Sequence, residues 1–84
     1  MVQKSIYSKS YDLFLRSLRN ARVESGLSQK DVAHRMARTQ SFVSKCERGE
    51  RRIDIIELRS FCDAIGLGLS NFVIALEKEL AKKS

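Results

Sequence analysis

From residue 11 almost to the end of the chain, apolar residues return at spacings of three and four, the period of an amphipathic helix. The first such stretch predicts a helix over 11–25, with Phe14, Leu18 and Ala21 on one face and Gly26 where a C-terminal cap belongs. A second helix opens at Ser28, because Ser28-Gln29-Lys30-Asp31 has the capping-box spacing. In that arrangement the serine oxygen and the Asp31 carboxylate satisfy amides that the helix cannot. Its inward face is Val32, Ala33 and Met36. A third helix follows Thr39, a good N-cap residue, and reaches Arg48 before Gly49, with Val43 and Cys46 pointing inward. A fourth begins at Asp54, where Asp54 and Glu57 repeat the capping spacing, and ends before Gly66; Leu58, Phe61 and Ile65 are its inward residues. The last covers 70–82 and carries Phe72, Val73, Leu76 and Leu80. The pattern predicts an all-α fold of five helices.

Residues 1–10 break the period. They are polar apart from Ile6 and Tyr7 and read as an N-terminal arm, mobile or held by a partner, ahead of one domain over 11–84. The 84 residues suffice for a single domain, and 43% hydrophobic content supports a packed core. No apolar run approaches the roughly 18 to 20 residues of a membrane span. A charged N-terminal block followed by an apolar one is also missing, so the expectation is a cytoplasmic protein without a signal peptide.

The second and third helices are short and joined by only Ala37, Arg38 and Thr39. Two short helices across so tight a turn make a helix-turn-helix, here over 29–48. Ala33 is small where the helices must approach closely, while Val43 and Cys46 anchor the third helix to the first. Burying those positions leaves the opposite face of the third helix open. That face carries Gln40, Ser41, Ser44, Lys45 and Arg48, with Phe42 as its only large apolar residue. Amides, hydroxyls and cations of this kind hydrogen-bond base edges and phosphates.

Charge agrees with that reading. Sixteen Lys and Arg against ten Asp and Glu give a net charge of +6, and the pI of 9.8 is that of a nucleic-acid binder. Other chemistry is sparse. Cys46 and Cys62 fall on apolar helix faces, and their spacing with His34 matches no zinc signature, so both read as small core residues. His34 lies on the polar face of the second helix, exposed or structural. The sequence has no nucleophile–base pair, metal cluster or glycine-rich phosphate loop, so an enzyme, a metal and a cofactor are not expected. Aromatic residues that would stack on single-stranded RNA are few, which disfavours RNA as the partner.

Three segments carry a resemblance to a known family. Leu27-Ser28-Gln29-Lys30-Asp31-Val32-Ala33, Thr39-Gln40-Ser41-Phe42-Val43-Ser44-Lys45 and Glu47-Arg48-Gly49-Glu50-Arg51-Arg52 strongly resemble the xenobiotic-response-element (XRE) family of transcriptional regulators, over residues 15–67. This is the group of the lambdoid phage repressors and Cro. The resemblance implies a compact lambda-repressor-like domain whose third helix lies in the major groove of double-stranded DNA. It implies that Gln40, Ser41, Ser44 and Lys45 face bases. It implies that Gln29, Lys30, Arg38, Arg48, Arg51 and Arg52 meet phosphates. Arg22 and Glu47 are similar to the family's partly buried ion pair, a structural feature. One position departs from the family. The turn usually has a glycine at positive φ, and here Ala37 stands there, at a cost on the order of 1 kcal/mol.

Leu69, Phe72, Val73, Leu76 and Leu80 either complete the core of the monomer or, widened by Ile74, exceed it. The second alternative implies a twofold homodimer through the last helix or the corner between the fourth and fifth helices. Such a dimer would set recognition helices about 34 Å apart and match an inverted-repeat operator. The function expected is a sequence-specific DNA-binding regulator, a repressor by family. The alternative is an antitoxin-type protein-interaction module that also binds its own operator, with 1–10 or the last helix holding the protein partner.

Overall fold

A computed structural model describes residues 8–83, and among them every regular element is helical. The order is α1 (Lys9–Glu24), α2 (Gln29–Met36), α3 (Gln40–Glu47), α4 (Ile55–Ile65) and α5 (Leu69–Lys83). Helix α1 starts earlier than the apolar period predicts, because Ser8 caps it by accepting the Tyr11 amide at 3.1 Å. The expected arm therefore gives its last two residues, Lys9 and Ser10, to α1; residues 1–7 lie outside the described residues.

Helix starts follow local chemistry. Both predicted capping boxes form: Ser28 with Asp31, and Asp54 with Glu57, each side chain accepting the other's backbone amide. Thr39 accepts the Phe42 amide at 3.0 Å and so opens α3. Helix ends share one device. After α1, α2, α3 and α4 a residue at positive φ reverses the chain, and two amides bond back to carbonyls of the last turn. After α4 this residue is Gly66, at φ 76, a region closed to most side chains. After α2 it is Ala37, at φ 58, as the turn requires. The Ala37 amide meets the His34 carbonyl, and the Arg38 amide meets that of Ala33 at 2.9 Å.

These ends fold the helices around α4. Leu58, Phe61, Cys62, Ala64 and Ile65 of α4 are buried, together with Leu18 of α1, Val32 and Ala33 of α2, Phe42, Val43 and Cys46 of α3 and Phe72 of α5. Helix α2 packs on α3 and α4, while α1 packs on α3 and α5. Arg35 of α2 donates to the Ala64 carbonyl at 2.8 Å, satisfying an oxygen of the last turn of α4. Cys46 and Cys62 are free thiols inside the core, and burial raises the pKa of both, that of Cys62 to about 11.

In α5, Phe72 is buried and Leu69 and Leu76 pack against the core. Val73, which the period assigned to the same stripe, instead faces outward with Ile74; they are 40% and 55% exposed. No single helix among the described residues is long and apolar enough to cross a membrane.

Candidate nucleic-acid interface

Helix α3 is only eight residues long, and three of them, Phe42, Val43 and Cys46, turn into the core. Gln40, Ser41 and Lys45 are exposed and Ser44 is half-buried. The helix therefore offers solvent a polar face flanked by basic loop residues.

Phe42 corrects one expectation. It was assigned to the open face, yet the residue is 9% exposed and its ring stacks on Phe61 of α4, centroids 6.1 Å apart at 18°. The reason is its register. Phe42 precedes Cys46 by one helical turn, and residues four apart share a face. The outer side of the ring is covered by two cations. The Arg38 guanidinium lies 3.7 Å from the ring centroid and that of Arg51 lies 4.9 Å away. Such contacts add to the fixing of both side chains.

Arg51 is held from a second side. It donates to both carboxylate oxygens of Glu57 at 2.8 and 2.9 Å and to the Arg52 carbonyl at 3.0 Å. Those bonds keep the Glu57 carboxyl below its usual pKa, with help from the Asp54 amide, and raise that of Arg51. Arg38, Arg51, Lys45, Thr39, Ser41, Ala37 and the Phe42 ring line one groove at the start of α3. Arg38, Lys45 and the Glu57-paired Arg51 surround an apolar floor there.

Arg48 and Arg52 of the expected interface also have partners. Arg48 donates to Ser44 Oγ and, at 2.8 Å, to Glu50, whose carboxyl this bond keeps below its usual pKa. Arg52 lies 4.4 Å over the Tyr11 ring, and the Tyr11 hydroxyl accepts the Ile53 amide at 3.2 Å. The loop after α3 is thereby fastened to the start of α1. Lys30 is exposed in the first turn of α2.

Gln29 is tied to the core of the motif. Its side-chain amide donates to Glu47 Oε1 at 2.9 Å, and the same carboxylate binds Arg22 through Nε at 2.6 Å and Nη2 at 3.1 Å. Arg22 Nη1 also reaches the Leu27 carbonyl at 2.9 Å. One buried carboxylate thus links the end of α1, the start of α2 and the end of α3. Sequence reasoning paired Arg22 with Glu47 by resemblance but missed that Gln29 shares the pair. It also missed the Arg51–Glu57 bridge, between residues six apart, and the Tyr11 tether to Ile53, 42 residues away. Among the described residues no cluster of three metal-ligating side chains occurs.

The fold and the exposed polar face of α3 define the class: a helix-turn-helix domain. A family model described as a helix-turn-helix domain matches residues 13–71. Among solved structures, the chain is similar to an XRE-family like protein from Pseudomonas syringae pv. tomato str. DC3000, with 41% identity, TM-score 0.82, and 93% of this chain and 95% of that one covered. The chain belongs to the XRE family of helix-turn-helix DNA-binding regulators. Two further likenesses concern the fold alone. One is the wild-type restriction-modification controller protein C.Esp1396I, at 24% identity and TM-score 0.81, covering 89% of this chain and 97% of that one. The other is the clp gene regulator ClgR from C. glutamicum, at 21% identity and TM-score 0.74, covering 86% and 94%. No curated protein sequence matches the chain.

Proposed function

We propose that this chain is a sequence-specific regulator of transcription, a repressor, that inserts α3 into the major groove of double-stranded DNA. The observation that carries the reading is the exposed Gln40–Ser41–Lys45 face of α3, set beside a groove lined by Arg38, Lys45 and Arg51. A Gln amide can pair with adenine N6 and N7, and a Lys can donate to guanine O6 and N7. Ser44 joins this face with its hydroxyl oriented by Arg48.

Phosphate contacts hold that helix in register. In this reading Arg48, Arg51 and Arg52 meet the strand beyond α3, and Lys30 meets the strand at the start of α2. Gln29 spends one of its two amide N–H groups on Glu47, which leaves the other for a phosphate at the N-terminus of α2. The ion pair of Arg22 with Glu47 then has a second effect, since it also holds the carboxylate that orients Gln29.

A homodimer completes the proposal. Val73 and Ile74 on α5 and Ile55 and Ile56 at the start of α4 are exposed, more apolar surface than these two helices need for the monomer. A twofold pair through this region fits an inverted repeat with half-sites one DNA turn apart. Selection of bound duplexes from a random pool tests both parts. Enrichment of a two-half-site repeat supports them, and no enrichment above the starting pool contradicts the reading.

A further inference from the structure

We infer that Arg38, in the turn before α3, reads a guanine base and is not a phosphate contact. The inference rests on the DNA-binding reading above and revises one residue within it.

Its first support is position. Arg38 lines the same groove as Ser41 and Lys45, two side chains of the base-facing side of α3; Arg51 shares that groove but is held back on Glu57. Arg38 is brought there by the backbone. Ala37, at φ 58, reverses the chain so that the Arg38 amide bonds to the Ala33 carbonyl, closing α2. The residue in that position of such a helix end normally makes an apolar contact with the preceding turn. Here it is an arginine, and its guanidinium is laid on the Phe42 ring instead, 3.7 Å from the centroid.

Its second support is the state of the guanidinium. Arg48 and Arg51 spend donors on Glu50 and Glu57, and Arg48 a further one on Ser44. Arg38 stacks on Phe42 within the field of the Glu57 carboxylate, and among the described residues no acceptor hydrogen-bonds its N–H groups. A stacked guanidinium keeps its in-plane donors directed outward, and the rotamer freedom of the long stem is already reduced. A planar, prealigned fork matches the O6 and N7 acceptors of guanine in the major groove. A phosphate contact needs only a flexible charge, which the exposed Lys30 supplies without any platform. Phe42 supplies that platform because it is itself fixed, buried and stacked on Phe61 of α4.

The test uses the intact chain and the duplex that wild-type protein selects from a random pool. Three proteins are compared on that duplex and on versions with each base pair changed: wild type, Arg38→Lys and Arg38→Ala. Arg38 is exposed, and thermal unfolding of the variants checks that they remain folded. Expected is a loss of about tenfold or more in preference for guanine at one position, the same position for both variants. Replacing that guanine by 7-deazaguanine weakens wild-type binding and leaves Arg38→Ala binding unchanged. The result that overturns the inference is Arg38→Ala weakening every duplex alike and lowering the salt slope by about 1, with Arg38→Lys restoring both. A wild-type chain that selects no sequence overturns the DNA-binding reading and this inference together. Selection by wild type that both variants reproduce unchanged overturns this inference alone.

Discussion

Arg22 clamps Glu47 with two N–H groups, at 2.6 and 3.1 Å, across 25 positions of sequence. The side chains are 12% and 4% exposed, so this pair is shielded from solvent. Its geometry is close to the two-pronged fit that makes arginine–carboxylate pairs strong, and the Leu27 carbonyl and Gln29 amide take up remaining bonding capacity. Removing one partner leaves the other buried and unpaired. Arg22→Met is expected to lower unfolding free energy by about 3 to 5 kcal/mol, whereas Arg22→Met with Glu47→Leu recovers much of that loss. Urea unfolding of the two single variants and the double variant checks it. Equal destabilisation by the single and double changes would contradict the account.

Ala37 is the one non-glycine at positive φ among the described residues. Ala37→Gly relieves that strain, against a smaller entropic loss in the unfolded chain, and is expected to stabilise by up to about 1 kcal/mol. For a domain of this size that corresponds to a rise of about 4 to 8 °C in Tm per kcal/mol. A lower Tm for the glycine variant would show that the turn is not strained as described.

The acid side of the stability curve follows from the carboxylates. Glu57 is held below its ordinary value of 4.5 by Arg51 and then by the Asp54 amide, and Asp31 is lowered by the Ser28 amide and hydroxyl. A depressed folded pKa means that the unfolded chain takes up protons first as pH falls. The stabilisation is therefore complete above the ordinary carboxylate values and is lost as pH drops through the lowered folded ones. Denaturant midpoints measured between about pH 2 and 6 should fall on the acid side, and Glu57→Gln should flatten part of that fall. A midpoint constant over the range would refute it.

Cys46 and Cys62 have no measurable exposure, and burial raises the pKa of each thiol, that of Cys62 to about 11. A buried neutral thiol is a poor nucleophile. Alkylation near pH 8 is expected to proceed only as fast as the chain unfolds, and at once in denaturant. Rapid labelling of either cysteine in the native protein would contradict the packing.

Much of this fold was legible before the structure, for local reasons. Ser28 with Asp31 and Asp54 with Glu57 announce helix starts through side chains that bond within one turn, so spacing alone reveals them. Gly66 and Ala37 fall where a reversal is needed. Phe42 was misplaced although its distance from Cys46 carried the signal; the neighbouring polar residues outweighed it. The links that shape the interface were less legible. Tyr11 with Ile53 depends on where a loop returns in space, while Arg38 over Phe42 and Arg51 with Glu57 are local but run across non-helical backbone, and no periodicity encodes either case. Likewise Val73 became an outward residue because Phe72 and Leu76 already fill the space under α5.

The central claim is that α3 chooses among DNA sequences. The most direct measurement is a fluorescence anisotropy titration of one selected duplex and one scrambled duplex, repeated across salt concentrations. The account predicts binding to the selected duplex about a thousandfold or more tighter than to the scrambled one, with affinity for both falling as salt rises. Equal affinity for the two duplexes would leave only a basic surface holding phosphate, and would contradict the role assigned to Gln40, Ser41, Ser44 and Lys45.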